Sequence, residues 1–339
     1  MQISNGQRSK PLAIDTHAHV FLSAVLGTCG EAGPDLTIEN GVQTFRAGSY
    51  TIRHVRFQDS PMSDPEKRLA LMDSMGIDVQ LLSPYPMLYF YDQPATTAIA
   101  FCRRHNDEMA ALVTRFPARL AGLATLPMQA PEAARDEMRR AIEELGLRGA
   151  YIGRSFAGRE LSDPAYEPLW IEVERLQVPV VVHPGPLDPG GSHGKGKWDL
   201  DLVLGFAVDE TFAIAQLVLG GVLDRHPRMV AIVPQGGGFA PFVRGRFEAA
   251  VAKRPWGRGL LTRSFSEIWN QLVFDSLLHD RTTLEYVVRA HGARQIVLGT
   301  NFAAWDQDET IVAQIEGLPI SGEDRAAILG ENARRLFKL

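Results

Sequence analysis

The feature that most constrains this chain is an alternation. From residue 64 onward, short β-like runs take turns with helical stretches, the pattern of a parallel sheet joined by crossover helices. With one run before that point, the candidate strands are Ala13 to Thr16, Val79 to Ser83, Ala121 to Leu126, Ala150 to Gly153, Val180 to His183, Val230 to Val233, Val273 to Asp275 and Ile296 to Gly299. Eight such runs match a (β/α)8 TIM barrel, and 339 residues suffice for one barrel domain with insertions. We therefore expect a single domain over residues 1–339.

The punctuation between the strands agrees. Asp64 followed by Pro65 reads as an N-cap with proline at the first helical position, Leu69, Met72 and Met75 share a face, and Gly76 stops the helix. Residues 131–145 place Ala134, Met138, Ala141, Ile142 and Leu145 on one face. Residues 20–63 are far longer than an ordinary βα loop, and the alternation over Tyr50 to Phe57 predicts a small hairpin lying as a lid over the strand ends. A second irregular stretch, Gly185 to Lys197, follows the fifth strand.

Composition excludes several functions. With 45% hydrophobic and 22% charged residues, the chain can bury a core. A net charge of −5 gives no electrostatic footprint for nucleic acid or an anionic membrane surface. No uninterrupted apolar run is long enough to span a bilayer, the first residues do not read as a signal peptide, and two cysteines form no disulfide framework. A cytoplasmic location is expected.

Chemistry concentrates at the strand C-termini, the active face of a parallel barrel. His17 and His19 end the first strand two residues apart, so their side chains point the same way, and His183 ends the fifth. Three imidazoles at one mouth suit a divalent cation. Neither cysteine has a local histidine partner and no GxSxG elbow is present, so serine or cysteine nucleophilic catalysis lacks support.

The motifs IDTHAH (14–19), VVHPG (181–185), QGGGFAPFVRGRFEAA (235–250) and VLGTNFAAWD (297–306) resemble the amidohydrolase superfamily, and within it the aminocarboxymuconate semialdehyde decarboxylase family. The similarity runs on through residues 63–86 and 122–153. It implies that His17, His19 and His183 bind a divalent metal, zinc by preference, and that the substrate is a small carboxylated aromatic or muconate-like acid losing carbon dioxide without oxidation. It further implies that Arg53, or Arg56 three residues on, grips a substrate carboxylate. Trp198 falls where an aromatic lines the pocket, and Arg246 would enter a neighbouring subunit's site, making the protein a homodimer.

Two positions depart from the family pattern. Gln235 stands where a histidine acid or base is expected, and Asn301 where an aspartate closes the metal shell. An amide can offer its carbonyl oxygen to a metal, so Asn301 remains a candidate ligand, but it brings no charge and exchanges no proton near neutrality. Either the chemistry runs through another group, with His279, Asp306 and Asp275 as candidates, or the parent reaction is lost, or the pair was substituted deliberately to trap substrate. The alternatives to a decarboxylase are a hydrolase or hydratase of the same superfamily, with or without a metal, and a silent ligand-binding paralogue.

Overall fold

The computed structural model describes residues 11–185 and 198–339. Eight parallel strands form its centre: β1 (Ile14–Val20), β2 (Val79–Pro84), β3 (Leu120–Gly122), β4 (Ala150–Ile152), β5 (Val180–Val182), β6 (Ala231–Val233), β7 (Leu272–Asp275) and β8 (Ile296–Val297). They pair as two arcs, β1–β2–β3 and β4–β5–β6–β7–β8. Bridges between Ala124 and Ala150 and between Ala18 and Phe302 join the arcs into a closed ring. At the second seam Thr16 N–H donates to Leu298 O at 2.9 Å and Phe302 N–H to His17 O at 3.0 Å. The chain thus has the barrel that its sequence implies.

All seven residues of β1 are buried, and its pairing with β2 continues past a register shift between Asp15 and Ala18 to match His19 with Ser83. This strand is longer than expected. Its histidines lie within it, His19 paired with Ser83 of β2 and His17 held by Asp275 of β7 and the backbone N–H of Phe302.

The helices α1 (Pro65–Met75), α2 (Ala95–Arg115), α3 (Pro131–Glu143), α4 (Glu167–Leu176), α5 (Phe206–Leu219), α6 (Ala240–Lys253) and α7 (Arg281–His291) follow the strands in order. Asp64 caps α1 through the backbone N–H groups of Glu66 and Lys67, and Gly76 closes it in the left-handed conformation. Its innermost residues are Arg68, Met72 and Met75, whereas Leu69 is half-buried. Arg68 displaces the expected leucine because its guanidinium finds Gln80 Oε1 at 2.9 Å and His19 O at 2.5 Å inside the core.

The helical stretch Asp201–Leu219 is long and apolar enough to cross a membrane by length and composition alone, with mean hydropathy 1.8. Half of it is buried in the barrel wall, and Asp209 and Glu210 lie on its buried side. Between β6 and α6 the chain turns through Gly236, Gly237 and Gly238, all at positive φ. A Cβ on Gly238 would sit 2.1 Å from Ala207 O, so only glycine lets this turn pass α5.

The insertion after β1 is a three-stranded antiparallel sheet of Asp35–Glu39, Val42–Ala47 and Tyr50–Val55. The alternating run expected to be a hairpin is its third strand. A register shift opposite His54, whose φ is +63°, breaks the two-residue alternation there. Residues 186–197, most of the irregular stretch after β5, lie outside the described residues.

Candidate active site

The site is built at the C-terminal ends of β1, β5, β7 and β8. The three histidines expected there do converge. The rings of His17, His19 and His183 have centroids 5.1, 5.2 and 5.4 Å apart, and one nitrogen of each lies within 4.8 Å of the others.

Each ring is oriented from behind through Nδ1. That atom lies 2.7 Å from Asp275 Oδ2 in His17, 3.0 Å from Ser83 Oγ in His19 and 2.7 Å from Pro184 O in His183. One nitrogen of each ring is turned toward the others, and Nε2 of His17 is buried without a partner among the described residues. Burial, then the neighbouring imidazoles, holds the pKa of His19 and of His183 well below the ordinary histidine value. Neutral, convergent imidazoles with their outer nitrogens engaged form a donor set for a divalent cation. The residues therefore fit the metal that the sequence implies.

A buried network beneath the site fixes its strands. Asp15 accepts from His17 N and Thr300 N through Oδ1, and from Thr300 Oγ1 and Gln80 Nε2 through Oδ2. Burial nevertheless raises its pKa to about 6. Asp275 uses its second oxygen to accept from Gly236 N and Leu277 N, so it orients His17 and is not the free base considered from sequence. Gly299 makes room for it, since a Cβ there would lie 2.7 Å from Asp275 Oδ2.

Above the imidazoles opens a cleft of about 410 Å³. His19, His183 and Asn301 line it, as do Arg53, His54 and Arg56 from the insertion. Ile52, Phe57, Met87, Phe206 and Trp305 supply apolar walls. The ring of Phe206 is 5.4 Å from that of His183. Both arginines are exposed at the mouth. A flat acid entering here meets guanidinium groups at one end and imidazoles at the other.

The remaining expected residues divide. His279 and Asp306 pair at 3.3 Å, and Asp306 also accepts from Asn301 Nδ2, so the trio assembles, with Asn301 lining the cleft and His279 and Asp306 behind it. Gln235 is half-buried in the turn after β6 and does not line the cleft. Trp198, 74% exposed, does not line it either; the tryptophan that does is Trp305. Arg246 is exposed on α6, away from the cleft. Sequence reasoning missed Ser83, His54 and Trp305. Trp305 carried a signal, four residues after Asn301 in VLGTNFAAWD.

Comparison with known proteins agrees with this geometry. Residues 14–339 match the amidohydrolase family. The 2-amino-3-carboxymuconate-6-semialdehyde decarboxylase of Dictyostelium discoideum is 32% identical over 245 residues, covering 72% of this chain and 68% of that protein. The gamma-resorcylate decarboxylase of Rhizobium sp. (strain MTP-10005) is 31% identical over 287 residues, covering 81% and 87%. Among solved structures, a dihydroxybenzoic acid decarboxylase from Polaromonas sp. JS666, with bound manganese and the inhibitor 2-nitroresorcinol, superposes with a TM-score of 0.76 at 25% identity, covering 97% of each chain.

Proposed function

This chain belongs to the amidohydrolase family, in its aminocarboxymuconate semialdehyde decarboxylase-like branch, and from that premise we propose that it removes carbon dioxide from a small carboxylated aromatic or muconate-like acid. One observation carries the proposal: three imidazoles, each held from behind, bring one nitrogen apiece together at the floor of a cleft rimmed by arginines. His17, His19 and His183 would hold a divalent ion, which we assign as zinc, with the Asn301 carbonyl oxygen as a fourth donor. Such an ion supplies Lewis-acid polarisation of substrate oxygens when bound.

The protein's own groups set up the rest. Arg53, with Arg56 beside it, holds an acidic group through the guanidinium fork. Phe57, Phe206 and Trp305 take the flat body of the substrate and keep water from its reacting carbon. Breaking the C–C bond leaves an electron pair on that carbon, which must receive one proton as carbon dioxide departs. Gln235 cannot give it. We assign the proton to His279, whose pKa Asp306 raises by hydrogen bonding. Unchanged turnover after replacing both His279 and Asp306 with alanine rules this assignment out.

A homodimer is the oligomeric state we propose. Phe212 on α5 and Phe239 and Phe242 around the start of α6 are exposed, and Arg246 lies one helical turn beyond Phe242. A second copy covering this patch removes it from water. Sedimentation should give a dimer that F242E splits.

The function is tested on protein purified without chelator. Stoichiometric divalent metal is expected, with carbon dioxide released from at least one acid in a panel of hydroxybenzoates and carboxymuconate semialdehydes. Chelation should abolish release, and Zn²⁺ or Mn²⁺ should restore it. A fully metallated protein that releases carbon dioxide from none of these acids refutes the proposal.

A further inference from the structure

We infer that Asp306 turns the amide of Asn301 so that its carbonyl oxygen faces the three imidazoles, and that it places behind the amide the negative charge Asn301 lacks. This rests on the divalent-ion proposal above and says how the ligand set is completed.

An amide has one end that accepts and one that donates, and only the oxygen can serve a cation. Asn301 lines the cleft with His19 and His183, is 5% exposed and has left-handed φ of +51°. Its Nδ2 donates to Asp306 Oδ1, while its Oδ1 is buried without a partner among the described residues. The carboxylate can only accept, so it claims the NH₂ end and leaves the oxygen for the site. A closed loop brings Asp306 back to this place: Ala304 N–H donates to Asn301 O at 3.0 Å, Ala303 N–H to Gln307 Oε1 at 2.7 Å, and Asp308 N–H to Thr300 O at 2.9 Å.

Charge gives the second half. Three neutral imidazoles and an amide oxygen bring no negative charge to a divalent ion. Asp306 stands one hydrogen bond behind Asn301, as Asp275 stands one behind His17. Carboxylates in such positions orient ligands and raise their basicity, and losing one typically costs about 10- to 100-fold in metal affinity.

The test is titration of Mn²⁺ alone into metal-free protein, read by electron paramagnetic resonance, with circular dichroism and melting confirming the fold. D306A, which loses both orientation and charge, is expected to weaken Mn²⁺ by about tenfold or more. D306N keeps an acceptor for Asn301 but no charge, and should fall between D306A and wild type. The double variant N301D/D306N returns the charge to position 301 and should bind at least as well as wild type. A D306A loss below about threefold, a D306N affinity equal to wild type, or no recovery in the double variant each overturns the inference. Should wild type itself bind neither Mn²⁺ nor Zn²⁺, the metal proposal falls first, and that result is separable from a wild type that binds while D306A binds equally well.

Discussion

The Nδ1 atom of His17 lies 2.7 Å from Oδ2 of Asp275, and both side chains are buried. The contact fixes which nitrogen of His17 faces the site. Asp275→Ala should lower affinity for a divalent ion by roughly 10- to 100-fold, measured by competition with a calibrated chelator. Unaltered affinity would mean that the neighbouring strands hold the ring without help from the carboxylate.

Arg53 predicts a split between binding and turnover. On the proposed role, in which its guanidinium holds an acidic group distant from the bond that breaks, R53Q should raise KM by roughly thirtyfold, about 2 kcal/mol, with kcat little changed. If Arg56 holds the substrate instead, R56Q gives the larger effect and R53Q the smaller.

His279 should titrate above its ordinary value of 6.5, through its hydrogen bond to Asp306. Proton NMR of the ring can follow this directly, and D306N should lower the pKa. A folded-state pKa that is raised adds stability below the ordinary value and loses it as pH climbs through the raised one. Because His279 is about half exposed, that contribution is small, and the NMR titration is the decisive readout.

Glu210 gives the same sign of pH dependence from a different cause. It is fully buried, neither oxygen has a partner among the described residues, and burial, then Asp275 and Asp209, pushes its pKa well above the usual carboxylate range. The unfolded chain ionises this group near its ordinary value while the folded chain keeps it protonated. Stability therefore falls as pH rises through the interval between the two, by about 1.4 kcal/mol for each pH unit crossed. E210Q should melt higher than wild type at pH 8 and alike near pH 4. A melting difference that does not vary with pH would show that Glu210 ionises equally in both states.

The barrel was legible because each strand is a short apolar run between turn signals, and such runs need no distant partner to be recognised. Where a polar residue is buried by distant partners, the pattern misled. Arg68 reads as the exposed neighbour of Leu69, yet Gln80 and the carbonyl of His19 draw it inside. His17 and His19 mark the mouth correctly, but Asp275, 258 positions from His17, reads as a spare base until the fold joins them. Position 198 and position 305 show the same limit. Both are tryptophans in stretches that follow a barrel strand, and only the folded structure shows which one lines the cleft.

The first and last strands meet at the bridge from Ala18 to Phe302, with the Thr16 to Leu298 backbone bond beside it, and that bridge is flanked by His17, His19 and Asn301. Local openings need less free energy than global unfolding. Mild heat or denaturant that parts these two strands would scatter the ligands while six other strands stay paired. Activity should then fade before the spectroscopic melt begins, and a chain still emerging from the ribosome would be inert until its final strand arrives.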